Sequence, residues 1–260
     1  METIFKPELK YVELHLTDHC NLNCKGCGHF SPLATKWFAN IETYKNDIKR
    51  LTELFSTIEM IRLMGGEPLL HPEVNSFISS TKKHFPISDI HIVTNGLLLP
   101  KMDDDFFLIC KENHIIIDIT VYPLTETKIK SILTILVKEE KIKINVRHVN
   151  MFHAHRNFRG DSDPLKAFKN CRAQYYCPFL KEGKLYHCAL PAVAKYANTS
   201  FGIQIPETGY VDLFEKNIIG SKIIEVLNQP SDACKFCSYS FTPFEWTTSR
   251  KAIEEWDPQY

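Results

Sequence analysis

The segment YVELHLTDHCNLNCKGC, residues 11–27, decides the fold. Its first seven residues alternate apolar Val12, Leu14 and Leu16 with polar Glu13, His15 and Thr17. That period of two marks a β-strand whose side chains point to opposite faces. The strand runs straight into a loop carrying Cys20, Cys24 and Cys27, and three thiolates so close together can wrap three corners of a cubane iron-sulfur cluster, leaving the fourth iron free. The alternative is a closed zinc site completed by His19 or His29, because structural zinc wants four ligands.

Outward from this strand the pattern repeats. Strands are expected at Tyr11–Thr17, Ile58–Met64, Ser88–Thr94, Ile115–Val121 and Ile142–Val149, with helices at Ile41–Ser56, Glu73–Lys83, Asp104–Asn113 and Glu126–Glu139. Alternating strands and helices predict an α/β fold with a parallel sheet, whose chemistry collects at the C-terminal strand ends. The cysteine loop, Gly65-Gly66-Glu67-Pro68 and Thr94-Asn95-Gly96 all fall there. The fourth strand separates Ile115, Ile117 and Ile119 from Asp118, Thr120 and Tyr122, and the fifth separates Ile142, Ile144 and Val146 from Asn145 and Arg147. A polar inner face predicts an open lumen holding a polar ligand; the alternative is an edge strand facing water.

The chain has 260 residues, 31 basic and 31 acidic, with 44% apolar residues. It is long enough for one main domain and a small appendage, and its balanced charge gives no reason to expect nucleic acid or an anionic membrane as partner. METIFKPELK lacks a signal pattern and no stretch has the length of a membrane span, so a soluble cytoplasmic protein is expected. A cytoplasmic chain has little use for disulfides, so eight grouped cysteines out of nine imply two metal sites, with Cys110 alone. The second group is Cys171, Cys177, Cys188, Cys234 and Cys237. It follows a change of character near residue 150, where the βα rhythm stops.

Cys20-x3-Cys24-x2-Cys27, Gly65-Gly66-Glu67-Pro68 and Thr94-Asn95-Gly96, each after its own strand, together resemble the radical S-adenosylmethionine (SAM) superfamily. The resemblance implies a partial (β/α)6 TIM-like barrel and a 4Fe-4S cluster on Cys20, Cys24 and Cys27, whose open iron binds SAM. One electron then yields methionine and a 5'-deoxyadenosyl radical that abstracts hydrogen from the substrate. In this reading Gly65 and Gly66 let the backbone approach the methionine moiety. Glu67, or the backbone beside it, accepts from its ammonium group, and Thr94 and Asn95 reach the ribose hydroxyls. Where the family often has an aromatic residue before the third cysteine this chain has Gly26, so His29 or Phe30 is expected to cover the adenine.

Cys171-x11-Gly183-x4-Cys188 with Cys234-x2-Cys237 resembles the twitch (SPASM-like) auxiliary domain. That implies a second 4Fe-4S cluster on Cys171, Cys188, Cys234 and Cys237, with Cys177 either replacing Cys171 or spare; a zinc ribbon is the alternative. The expected division is a barrel over 1–165, a small α+β twitch domain over 166–240 and a C-terminal tail over 241–260. A cluster closed by four thiolates has electron transfer as its natural task, which favours oxidation, with a basic residue taking the hydroxyl proton. Arg147 and Arg156, with Arg159, His148, His153 and His155, crowd the junction; their alternative is a solvated or phosphate-binding loop. The resemblance extends to small twitch enzymes that oxidise aminocyclitols, so dehydrogenation of a sugar-like alcohol is expected, with a flavodoxin or ferredoxin as reductant. Epimerisation, with Cys177 or Cys110 returning hydrogen, is the second expectation. Peptide modification is third, disfavoured because no peptide-recognition domain precedes the first strand, and a zinc-stabilised binding protein is the non-enzymatic alternative.

Overall fold

The computed structural model describes residues 5–139, 142–172 and 175–260. Five strands and four helices alternate first: β1 (Glu8–Thr17), α1 (Ile41–Leu54), β2 (Thr57–Gly65), α2 (Val74–His84), β3 (Asp89–Thr94), α3 (Asp104–Glu112), β4 (Ile116–Val121), α4 (Glu126–Glu139) and β5 (Lys143–His148). Asn40 caps α1 by accepting from Glu42 N and Thr43 N, and Asp103 caps α3 by accepting from Phe106 N. β1 to β5 pair in parallel in the order β5-β4-β3-β2-β1, so the α/β expectation holds.

No further parallel strand is added beyond β5; the sixth parallel strand of the sheet lies at the other edge, beside β1. β6 (Met151–Arg156) begins three residues after β5 ends, and a parallel neighbour needs a crossover of roughly a dozen residues or more. β6 instead pairs antiparallel with β10 (Cys237–Glu245). The free side of β1 takes β7 (Phe179–Lys181) in parallel, followed by antiparallel β8 (Lys184–Tyr186) and β9 (Tyr210–Asp212). Three more helices complete the chain: α5 (Pro164–Arg172), α6 (Ala189–Phe201) and α7 (Gly220–Leu227).

One face of the sheet is the main core. Val12, Leu14 and Leu16 meet Ile61, Leu63, Ile92, Ile117 and Ile119 there, with Ile48, Leu51, Phe77 and Phe106 packed from α1 to α3. The opposite face is polar, as the alternation predicts. The Asp118 carboxylate accepts from Arg62 Nη2 at 3.1 Å and from Asn145 Nδ2 at 2.8 Å, and hydrogen-bonds His91 Nδ1 at 2.9 Å, while Tyr11 OH donates to Glu13 at 2.7 Å. A second core joins α6 to Phe30 from the cysteine loop, Phe158, and Trp256. It therefore draws on well-separated stretches of chain, and residues 241–260, expected as a tail, contribute one of them.

Candidate active site

The C-terminal ends of β1 to β5 surround a cavity of about 230 Å³. β1 leads into Cys20, Cys24 and Cys27; β2 supplies Gly65 and Gly66; β3 supplies Thr94 and Asn95; β4 supplies Thr120 and leads to Tyr122; β5 supplies Arg147. Burial, and then the Glu67 carboxylate, push the Cys20 thiol far above its ordinary range, and burial pushes Cys24 up to about 12. Buried thiols of this kind ionise when a metal centre binds them, and the donor set fits a cluster held by Cys20, Cys24 and Cys27. Among the described residues no three His, Cys, Asp or Glu side chains converge as a single-ion site would need. A cubane does not require that convergence, since each thiolate binds its own iron.

The glycines are required by the chain itself. Gly65 has φ +146°, and a Cβ on it would sit 2.2 Å from the Thr17 carbonyl oxygen; one on Gly66 would sit 2.1 Å from that of His19. The β2 turn thus lies directly against the residues leading into the cysteine loop, and Gly66 N and Glu67 N donate to Thr17 O and His19 O. Both glycines line the cavity as expected, but the close backbone approach is to β1.

The Glu67 side chain is engaged within the protein, which leaves the backbone beside it as the expected acceptor for the ammonium. Its buried carboxylate accepts from Leu69 N (3.1 Å), Thr94 Oγ1 (2.7 Å) and Asn95 N (2.8 Å), which uses it to join the second and third turns. Thr94 and Asn95 are likewise engaged. Thr94 Oγ1 accepts from Gly96 N, and Asn95 Nδ2 donates to Asn21 in the cysteine loop at 2.6 Å. Phe30 is corrected, being 0% exposed, packed on Trp256 and Phe158, and absent from the cavity. His29 does line the cavity, with Nδ1 bonded to the Gly65 carbonyl at 2.9 Å; since a carbonyl only accepts, Nδ1 is the protonated nitrogen. Gly26 has φ +64°, and a Cβ there would sit 2.7 Å from the Phe244 ring. Aromatic surface comes instead from Tyr122, stacked on Trp246 at 5.4 Å, and from Phe152. Two tryptophans in the supposed tail were the available signal.

Arg147 lines the cavity and donates to Thr120 Oγ1 at 3.3 Å. Arg156 does not. It is buried, donating Nη1 to Cys237 Sγ at 3.2 Å and Nη2 to the Gly28 carbonyl at 3.4 Å, so its expected place beside the substrate is corrected.

All five cysteines of the second group, Cys171, Cys177, Cys188, Cys234 and Cys237, line one cavity with His187 and Arg172. Burial, then the neighbouring cysteines, push Cys171 up to about 11 and hold Cys177 well above its ordinary value, against the opposing charge of Arg172. His187, passed over in the sequence, lies 3.5 Å from Cys234 Sγ. Cys110 is buried in the main core, away from both cavities.

The sequence pattern of the Radical SAM superfamily matches residues 14–122, the stretch holding all three turns. Over these residues the chain carries a radical SAM domain. The matched family implies SAM and one 4Fe-4S cluster for that stretch. Among curated relatives, the GTP 3',8-cyclase of Clostridium acetobutylicum is 37% identical over 100 residues, 37% of this chain and 30% of the relative. The GTP 3',8-cyclase of Clostridium botulinum (strain Okra / Type B1) is 30% identical over 126 residues, 48% and 39% respectively. The match therefore spans well under half of these relatives' length. Beyond the radical SAM domain the likeness is one of fold. BtrN in complex with AdoMet and 2-DOIA shares 17% identity at TM-score 0.56, covering 90% of this chain and 94% of that one. Native anSMEcpe with bound AdoMet shares 13% at TM-score 0.55, covering 89% and 83%. Among the described residues no helix is long and apolar enough to cross a membrane.

Proposed function

We infer that this radical SAM enzyme dehydrogenates a hydroxyl-bearing, sugar-like small molecule, using a second 4Fe-4S cluster as electron acceptor. The observation that carries the reading is the gathering of Cys171, Cys188, Cys234 and Cys237, with Cys177, around one cavity. When bound, the first cluster and SAM supply the radical that removes one hydrogen atom from the alcohol carbon. The remaining proton goes to solvent and the remaining electron to the auxiliary site, completing a two-electron oxidation. In this reading Cys20, Cys24 and Cys27 hold the first cluster, and Gly65, Gly66, Thr94, Asn95 and His29 frame SAM.

Arg147 reaches the cavity from β5 and orients the substrate hydroxyl; a guanidinium stays charged, so it favours loss of the hydroxyl proton without accepting it. The units proposed are 1–165 for SAM chemistry and 166–240 for the twitch-like site, with a flavodoxin or ferredoxin as reductant and the cytoplasm as location.

The test is anaerobic turnover of aminocyclitols and related polyols with SAM and a reductant. One carbonyl product per 5'-deoxyadenosine, without deuterium uptake from solvent at carbon, is the expected result. Solvent deuterium in an epimerised product would overturn it in favour of hydrogen return.

A further inference from the structure

Arg156 is a buried cation whose countercharge is not a carboxylate. The residue is 8% exposed, and among the described residues no Asp or Glu pairs with it. A buried charge is stable only when paired. Its partners are the Cys237 sulfur, the Gly28 carbonyl next to Cys27, and the face of Phe30 at 5.8 Å, while Nε has no partner. Its backbone N–H donates to Trp256 O, which anchors the main chain from which the side chain extends. The positive charge also opposes the burial that raises the Cys171, Cys188 and Cys237 thiols. Everything the guanidinium touches therefore belongs to, or adjoins, one of the two sulfur sites.

We propose that Arg156 is the positioning residue that sets the reduction potential of the auxiliary site, through an N–H···S bond to Cys237 and a second bond that ties this sulfur to the loop holding the first cluster. The proposal rests on the auxiliary cluster reading above. The chemistry is that of an electron acceptor. The substrate carbon radical gives up one electron, its hydroxyl proton leaves to solvent as the C=O bond forms, and the auxiliary cluster becomes one unit more negative. It is reoxidised by passing that electron to a flavodoxin- or ferredoxin-type carrier. A donor and a cation held at its sulfur stabilise the more negative state and so raise the potential.

The experiment uses the full-length Cys20→Ala/Cys24→Ala/Cys27→Ala protein, so that only the auxiliary site contributes, with Arg156 intact or changed to Lys or Gln. Iron is counted first. If this background holds no iron before Arg156 is touched, the auxiliary reading fails, and the inference with it. If it holds about four irons, the midpoint is read by redox titration with electron paramagnetic resonance. Arg156→Gln should shift the equilibrium about tenfold toward the oxidised form, 59 mV for one electron. Arg156→Lys, which keeps the charge but cannot reach both partners in a planar fork, should fall between. A wild-type midpoint in either iron-loaded variant overturns the proposal. Should only the Gln variant lose iron, the Lys midpoint decides; loss of iron from both would assign Arg156 to holding the fold and overturn it too.

Discussion

Trp256 donates its indole N–H to the backbone carbonyl of Cys27 at 2.8 Å, across 229 residues of chain. It is the innermost of several bonds that clamp the cysteine loop. Lys25 N donates to Thr247 O, Ser249 N to Asn23 O, and Asn23 Nδ2 to Ser249 O. Trp256→Phe keeps most of the apolar volume and removes the bond, at a cost of about 1–3 kcal/mol. A lower unfolding temperature, with iron lost from the first site before the second, is expected; iron counts in wild-type and Cys171→Ala backgrounds check it.

Gly66→Ala and Gly28→Ala should behave as opposites. A methyl group at Gly66 collides with the His19 carbonyl, whereas at Gly28 nothing lies within 4 Å. Gly66→Ala is expected to lose roughly 1–3 kcal/mol or more, while Gly28→Ala stays within about 0.5 kcal/mol. Denaturant midpoints of the two variants measure this.

Below neutral pH the fold should weaken through His15. Fully buried against Asp18 at 2.5 Å, it is held down to about 4 by burial, with the Asp18 hydrogen bond opposing. The unfolded chain takes up this proton near pH 6.5 and the folded chain only near 4, so stability falls as pH drops through that window, by at most about 1.4 kcal/mol per unit. His15→Gln should flatten the dependence between pH 7.5 and 5; equal slopes for variant and wild type would refute the assignment.

Cys171 and Cys177 should separate by iron content. Both line one cavity, where Cys171 feels Cys188 and Cys237, whereas Cys177 feels Cys188, the Glu13 carboxylate of β1 and Cys171. In the Cys20→Ala/Cys24→Ala/Cys27→Ala background, Cys177→Ala is expected to keep about four irons and Cys171→Ala to lose them.

What could be read from residues alone was local. The period of two in β1 and β4 placed Val12, Leu14, Ile117 and Ile119 in the core and Glu13 and Asp118 opposite, because a strand's faces are set by adjacent residues. The cysteine loop and the turns after β2 and β3 were equally legible. Three features were not. The Glu67 carboxylate is consumed by donors 27 and 28 residues away. Phe30 turns from the cavity because α6 and Trp256 offer it a dry surface. β6 leaves the parallel sheet for β10, 81 residues distant at the Arg156–Cys237 pair. Long-range pairing leaves no periodic trace, although two of the chain's three tryptophans in residues 241–260 are hard to reconcile with a solvated tail.

The clamp formed by Thr247, Ser249 and Trp256 also imposes an order in time. A ribosome adding about 5–20 residues per second makes Trp256 roughly ten to fifty seconds after Cys27, and until then the loop lacks this bond. A chain whose synthesis halts before Trp246 would present its first cysteines to the cell permanently without this clamp.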